Sequence, residues 1–299
     1  MTHLDFVGKR KGFIILSAIL IIAAIILSFT KSFDFGIEFT GGTEITASIE
    51  EEKTIDELRT ILSEIDQDYS TAKIVELNPI EGQEDRYFFA LTINRSFENV
   101  EQKESFESQL RSKLGENNLE ILQLNDVSGY AADQIKSFAW YAVSIVLVLL
   151  LAYITLRFKF AFGLGALLAL AHDIIIVLGF YSLFGIEINV TALAALLTLA
   201  GYSLNDTIVA YDRIRENLKA MRGKPIENIV NQSLNDVIVR SINTSLTTFI
   251  IVFLMLIIGG RAIAPFAFGL TIGVIVGTYS SLYIASPLVI GMLKRQNNY

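Results

Sequence analysis

The chain of 299 residues is 52% hydrophobic and 18% charged, carries a net charge of −7 and contains no cysteine. This apolar excess excludes an ordinary soluble domain and matches a membrane protein. Without cysteine, neither a disulfide framework nor a thiolate metal site is open to it.

The charge is divided along the chain. Residues 31–137 carry 10 Lys/Arg and 23 Asp/Glu, a balance of −13, and the remainder carries 14 basic and 8 acidic residues, or +6. A helical span needs roughly 20 mostly apolar residues. The first such stretch, 13–29, follows the basic run Lys9, Arg10 and Lys11. That pattern also suits a signal peptide, but no small-x-small site follows in 28–33, so an uncleaved anchor is expected.

The acidic segment 31–137 reads as a folded α+β domain. Residues 44–50 alternate as a strand with Ile45, Ala47 and Ile49 on one face. A helix is expected over 54–65, with Thr54 as N-cap, Glu57 at the capping-box position, and Ile55, Leu58, Ile61, Leu62 and Ile65 on its apolar stripe. Strands over 71–77 and 87–93 flank a polar turn at 81–85. A second amphipathic helix is expected over 97–114, using Phe97, Val100, Phe106, Leu110 and Leu114, and a last strand over 119–124. The order β-α-β-β-α-β predicts a ferredoxin-like split βαβ fold.

Further spans are expected at 138–156, 160–183, 188–211, 238–258 and 263–293. The fold class is therefore a polytopic α-helical membrane protein with six transmembrane helices and one ferredoxin-like domain between the first and second. Its divisions are 1–30 (N-terminus and first helix), 31–137, and a five-helix membrane domain over 138–299 with a polar loop at about 212–236. That loop is expected to continue the fourth helix, with a break at 223–225. Six spans place the clusters Lys9–Lys11, Arg157 with Lys159, Arg213 to Lys224, and Lys294 with Arg295 on one side. By the positive-inside rule this side is the cytoplasm, so both termini are expected there and 31–137 is exported.

Soluble-enzyme motifs are absent: there are two histidines and no Walker sequence, and Gly41 and Gly42 lack a phosphate loop's spacing. No cofactor, metal or nucleic-acid partner is expected. Ionisable groups at membrane depth are the functional candidates. Asp206, beside Asn205, lies 18 residues inward from Ile188, and Arg240 lies 18 inward from Ile258. At about 1.5 Å per residue, antiparallel neighbours would put them at one height. Arg240 shares a helix face with Asn243, Thr244, Thr247 and Thr248. Burial favours a neutral carboxylate and a nearby guanidinium favours the charged one, so a moving arginine could switch proton uptake. A static buried salt bridge, or an arginine snorkelling to the interface, fits the same residues. His172 and Asp173 could relay protons, but successive residues point about 100° apart, which suits interhelical packing better. Gly269, Gly273 and Gly277 recur every four residues and form a face for close backbone approach.

Three stretches together resemble the SecF family: DFGIEFTGGT at 34–43, with Asp34, Glu38, Gly41, Gly42 and Thr43; GYSLNDTIVAYDRIREN at 201–217; and RSINTSLTT at 240–248, followed by the glycine stripe. AHD at 171–173 adds to the likeness. Glu38 stands where the family usually has Asp, which keeps the charge. The resemblance implies a proton-coupled subunit of the resistance-nodulation-division superfamily in the bacterial cytoplasmic (inner) membrane, not an enzyme. It implies pairing with SecD, association with the SecYEG channel and YajC or YidC, and use of the proton-motive force to pull preproteins outward. Asp206 and Arg240 match the family's proton-pathway aspartate and arginine. A membrane scaffold, or half of a small-molecule proton-coupled exporter, remains an alternative.

Overall fold

The computed structural model describes residues 4–77, 79, 83, 85–115, 118–158 and 160–295. Lys159 and most of the expected turn at 81–85 lie outside the described residues. The chain divides into two units, one of them Phe35–Trp140.

Within that unit, α2 (Ile37–Thr40) leads into β1 (Gly42–Ile49), and α3 (Ile55–Ile65) follows. The capping box forms as the sequence requires: Glu57 N donates to Thr54 Oγ1 at 3.3 Å and Thr54 N to Glu57 Oε2 at 2.8 Å. These bonds hold the Glu57 carboxyl below its usual range. β2 (Lys73–Leu77) and β3 (Tyr87–Ile93) come next. α4 (Val100–Leu114) starts after the expected residue 97 because Asn99 Oδ1 accepts Gln102 N at 2.8 Å and fixes the N-terminus there. Phe97 instead packs its ring on Phe106. β4 (Leu119–Val127) closes a sheet ordered β2-β3-β1-β4, every neighbouring pair antiparallel. That is the ferredoxin-like arrangement. Ile45, Ala47 and Ile49 do share the buried face, against Leu58 and Leu62 of α3 and Phe106 and Leu110 of α4.

The other unit holds the membrane helices. α1 (Phe6–Thr30), α5 (Gly129–Arg157), α6 (Phe160–Phe184), α7 (Val190–Ala220) and α8 (Ile226–Ile258) are each long and apolar enough to span a bilayer. α5 belongs to this unit from Tyr141 onward. The sixth span is α9 (Ala264–Ser280), a π-helical turn Ser281–Ala285, and α10 (Ser286–Arg295). The interruption has a covalent cause: Pro287 has no N–H for the Tyr283 carbonyl, and its ring crowds that carbonyl. α7 runs nine residues beyond its expected end at 211, and α8 begins twelve before 238, so most of the expected loop is helix. Hydropathy marks the stretch that suits hydrocarbon, whereas the helix continues into the polar flanks.

Two apolar clusters fill the bundle. One takes Phe158, Phe162, Leu170, Tyr211, Ile214 and Val289; the other takes Val177, Tyr181, Ala195, Leu199, Val252 and Phe268. The glycine stripe seats α9 on α7: a Cβ on Gly273 would lie 2.7 Å from Leu199 Cδ1, one on Gly277 3.2 Å from Ser203 Cβ, and one on Gly269 would collide with the Tyr181 hydroxyl. Close approach favours glycine at these three positions.

Candidate functional site

The apolar clusters leave a polar layer between them. Going along α6, the cluster residues Ala169 and Leu170 give way to His172 and Asp173 before Val177 begins the other cluster. In α7, Ser203, Asp206 and Thr207 share one buried face, at helical spacings of three and four. Around them are the hydroxyls of Ser245 on α8 and of Thr278 and Ser280 on α9.

Asp173 is completely buried and fully engaged. Its Oδ2 accepts Ser203 Oγ at 2.5 Å and Ser280 Oγ at 2.8 Å, and its Oδ1 lies 2.8 Å from His172 Nδ1. His172 Nε2 in turn meets Ser17 Oγ of α1 at 3.0 Å, and Ser17 meets the Tyr279 hydroxyl at 2.6 Å. His172 and Asp173 therefore have different outside partners, as their angular separation requires, but they also bond each other. The network ties α1, α6, α7 and α9 together, and such a satisfied buried network rigidifies what it connects.

Asp206 is only 4% exposed, and its recorded hydrogen bond is from Ser245 Oγ at a long 3.4 Å. Ser245 also lies 2.6 Å from Thr278 Oγ1, whose own proton goes to Val274 O at 2.7 Å. A hydroxyl has one proton, so Asp206 and Thr278 compete for that of Ser245. Asp206 is the loosely held carboxylate of the layer and Asp173 the tightly held one. Thr207 Oγ1 and Tyr202 OH, on the same helix, are buried without a hydrogen-bond partner among the described residues.

The charge of Arg240 is near enough to act on Asp206, but the two side chains do not touch. Asp206 stands 14 residues before Ala220 and Arg240 14 after Ile226, so the hairpin brings them to one level, but no ion pair joins them. Ser245 faces α7, and five residues at about 100° each turn Arg240 some 140° away from it. Arg240, Asn243 and Thr247 are exposed, Thr244 and Thr248 half-buried, and Asn205 is exposed on α7 beside Thr198 and Gly201. These polar residues lie among exposed Ile242, Leu246, Ile250 and Leu254. The buried face of α8 carries Ser241, Ser245 and Val252, with Ser245 meeting Asp206 of α7, and sequence reasoning missed it. Its signal was there, two serines four residues apart followed by valine seven further on.

The signature loop is built for a tight turn. Gly41 and Gly42 have φ of +76° and +133°, and a Cβ on Gly42 would collide with the Ile93 carbonyl, so only glycine serves at that position. Buried Thr43 Oγ1 lies 3.0 Å from Arg95 O and 2.5 Å from Asp126 Oδ1, which share its single proton. Glu38 Oε2 is buried with no hydrogen-bond partner among the described residues. Asp34 O accepts Ile188 N at 2.7 Å, just before α7.

The family described as Protein export membrane protein SecD/SecF, C-terminal matches residues 107–295, and the SecD/SecF GG Motif matches residues 26–52. The Petrotoga mobilis protein translocase subunit SecF is 60% identical over 296 residues, covering 99% of this chain and 98% of that one. The Thermus thermophilus protein translocase subunit SecDF is 42% identical over 176 residues, 59% of this chain and 24% of that protein. The crystal structure of the Thermus SecDF, described as a translocon-associated membrane protein, superposes with a TM-score of 0.86 at 34% identity, over 98% of this chain and 39% of that one. The chain thus spans about two fifths of the SecDF chain.

Proposed function

Because the chain belongs to the SecD/SecF family of protein-export membrane proteins, we propose that it is the SecF-type part of a proton-driven unit that helps draw preproteins across the cytoplasmic membrane. Asp206 carries this reading. A buried carboxylate in a membrane helix is costly, and this one has a single long hydrogen bond that it shares with Thr278. Ionised, it accepts the Ser245 proton; protonated, it can donate to Ser245 in turn. Little local rearrangement separates the two states, which suits a group that takes up and releases protons. Asp173, saturated by three partners, suits a structural lock.

A SecD-type partner would complete the unit. The exposed polar stripe at Arg240, Asn243 and Thr247 is an expensive face to turn toward lipid tails, and a second helical bundle would cover it. A conformational change that swings Arg240 toward Asp206 would couple proton binding to movement. The basic residues Arg157, Arg213, Arg215, Lys224 and Lys294 gather around two cavities at one end of the bundle, which supports both termini being cytoplasmic and the ferredoxin-like domain exported. Association with SecYEG, and with YajC or YidC, follows from the same reading.

The test is preprotein translocation into inverted membrane vesicles that contain a SecD-type partner, with and without this chain and with and without an uncoupler. The expected result is a stimulation by the chain that the uncoupler abolishes. Stimulation of equal size in uncoupled vesicles would overturn the proton-driven role.

A further inference from the structure

Where α5, α6, α7, α8 and α10 come together at the basic end of the membrane unit, they enclose an open cavity of about 1030 Å³. Its floor is apolar, with buried Phe158, Phe162, Ile229 and Leu293. Its rim carries six basic side chains against one carboxylate, Glu227. Three of the six are already engaged. Arg157 and Arg215 share Asp212 at 2.9 and 3.1 Å and lie over the Phe158 ring at 5.4 and 5.5 Å, and Lys294 pairs with Glu227. Lys219, Arg222 and Lys224, around the α7–α8 turn, are exposed and have no ion pair among the described residues.

We propose that this cavity binds an anionic phospholipid from the adjoining leaflet, its phosphate against Lys219, Arg222 and Lys224 and its acyl chains along the apolar floor. A cation-rimmed space between helix ends, over an apolar floor, is an arrangement that recognises such lipids. Charge complementarity selects the headgroup, since three uncompensated cations face one open space. The floor selects a lipid over a soluble anion, which would gain nothing from Phe162 or Leu293. A neutral lipid would leave the cations uncompensated. The site is separate from Asp206 and does not depend on the proton reading.

The full chain, stripped of lipid in mild detergent, would be titrated with dioleoyl phosphatidylglycerol and dioleoyl phosphatidylcholine and the complexes counted by native mass spectrometry. Phosphatidylglycerol should bind at least about tenfold more tightly, because each basic residue near an anionic headgroup is worth roughly fivefold before screening. The triple variant Lys219→Gln, Arg222→Gln, Lys224→Gln should lose that preference, and its unpaired exposed sites should leave the melting temperature unchanged. Lys9→Gln with Lys11→Gln, outside this cavity, should keep it. Dihexanoyl phosphatidylglycerol should bind at least about tenfold less tightly than the dioleoyl form, since its shorter chains bury fewer methylenes. Equal binding of the two dioleoyl lipids, an equal loss in the Lys9/Lys11 control, or equal binding of the short-chain lipid would each overturn the proposal. So would displacement by millimolar inorganic phosphate, which would mark a simple anion site.

Discussion

Asp206 and Arg240 stand level in the α7–α8 hairpin and close enough for the arginine's charge to act on the carboxylate, yet the first is buried against Ser245 and the second is exposed with no ion pair between them. Equal depth is a matter of counting residues from the turn. Facing is a matter of helix phase, and here the phase gives Asp206 a serine and leaves the arginine on the outside. With Asn243 and Thr247 it forms a polar stripe that a partner bundle would cover.

If that stripe is an interface, Asn243→Leu with Thr247→Leu should weaken assembly without harming the chain itself. Interhelical hydrogen bonds in membranes contribute about 0.6 kcal/mol each, so losing two predicts roughly tenfold less SecD-type partner recovered by co-purification. The melting temperature of the chain alone should hold or rise, because leucine suits lipid better. Undiminished recovery of the partner would show that the stripe faces something else.

The glycine contact gives a second expectation. A Cβ at position 273 would crowd Leu199 Cδ1, and overpacking of this kind costs about 1–3 kcal/mol. Gly273→Leu should therefore lower the melting temperature clearly and Gly273→Ala less so. Leu199→Ala also destabilises, by emptying the same space. The double variant Gly273→Ala, Leu199→Ala should be more stable than the two losses combined by at least about 0.5 kcal/mol. Strict additivity in denaturant unfolding would mean that the residues do not meet.

In the ferredoxin-like domain, Thr54→Ala removes the side-chain half of a capping box and leaves the first turn of α3 short of an acceptor. Amide exchange over 55–58 should speed up several-fold, while β1 and β3 keep their protection. Glu57 is held below its usual range by Thr54. Its contribution is thus complete above the unfolded glutamate pKa and fades as the pH falls through the lower folded value. The exchange difference between Thr54→Ala and the unaltered chain should accordingly narrow at acidic pH. A difference that grows on acidification would contradict the assignment.

Particular residues show how far the sequence could be read. The capping box at Thr54 and Glu57, the strand over 87–93, the sheet face of Ile45, Ala47 and Ile49, and the six spans were all legible, because each rests on spacing within one segment. The π turn at Ser281–Ala285 was signalled only by Pro287 within an apolar run. The Asp173 network was harder to see. Its hydroxyls Ser17, Ser203 and Ser280 come from three other helices, and a serine in a membrane helix looks the same whether it faces a carboxylate or bonds its own backbone. Helix phase relative to a neighbour depends on packing that no single periodicity encodes, which is why the sequence could place Arg240 near Asp206 but could not show that Ser245, and not Arg240, would touch it.

The two buried aspartates allow a direct separation of structural and proton-handling roles. Asparagine keeps the size of aspartate, still accepts at its carbonyl and donates through its amide, but it cannot ionise. At position 173 the amide would have to face either His172 or the two serine donors, all held at 2.5–2.8 Å, so Asp173→Asn leaves a donor unmatched in a fully buried site. That should cost about 1–3 kcal/mol and lower the melting temperature. At position 206 the single bond is long and shared, and asparagine can retain it, so Asp206→Asn should leave the melting temperature and partner assembly nearly unchanged. Its translocation into inverted vesicles should nonetheless lose almost all of the uncoupler-sensitive stimulation, because the residue no longer takes up or releases a proton. Ser245→Ala, which removes only the weak donor, should lose a few-fold at most. If Asp206→Asn, at equal abundance, keeps the full uncoupler-sensitive stimulation, the carboxylate is a packing group and the proton path must run elsewhere in the polar layer.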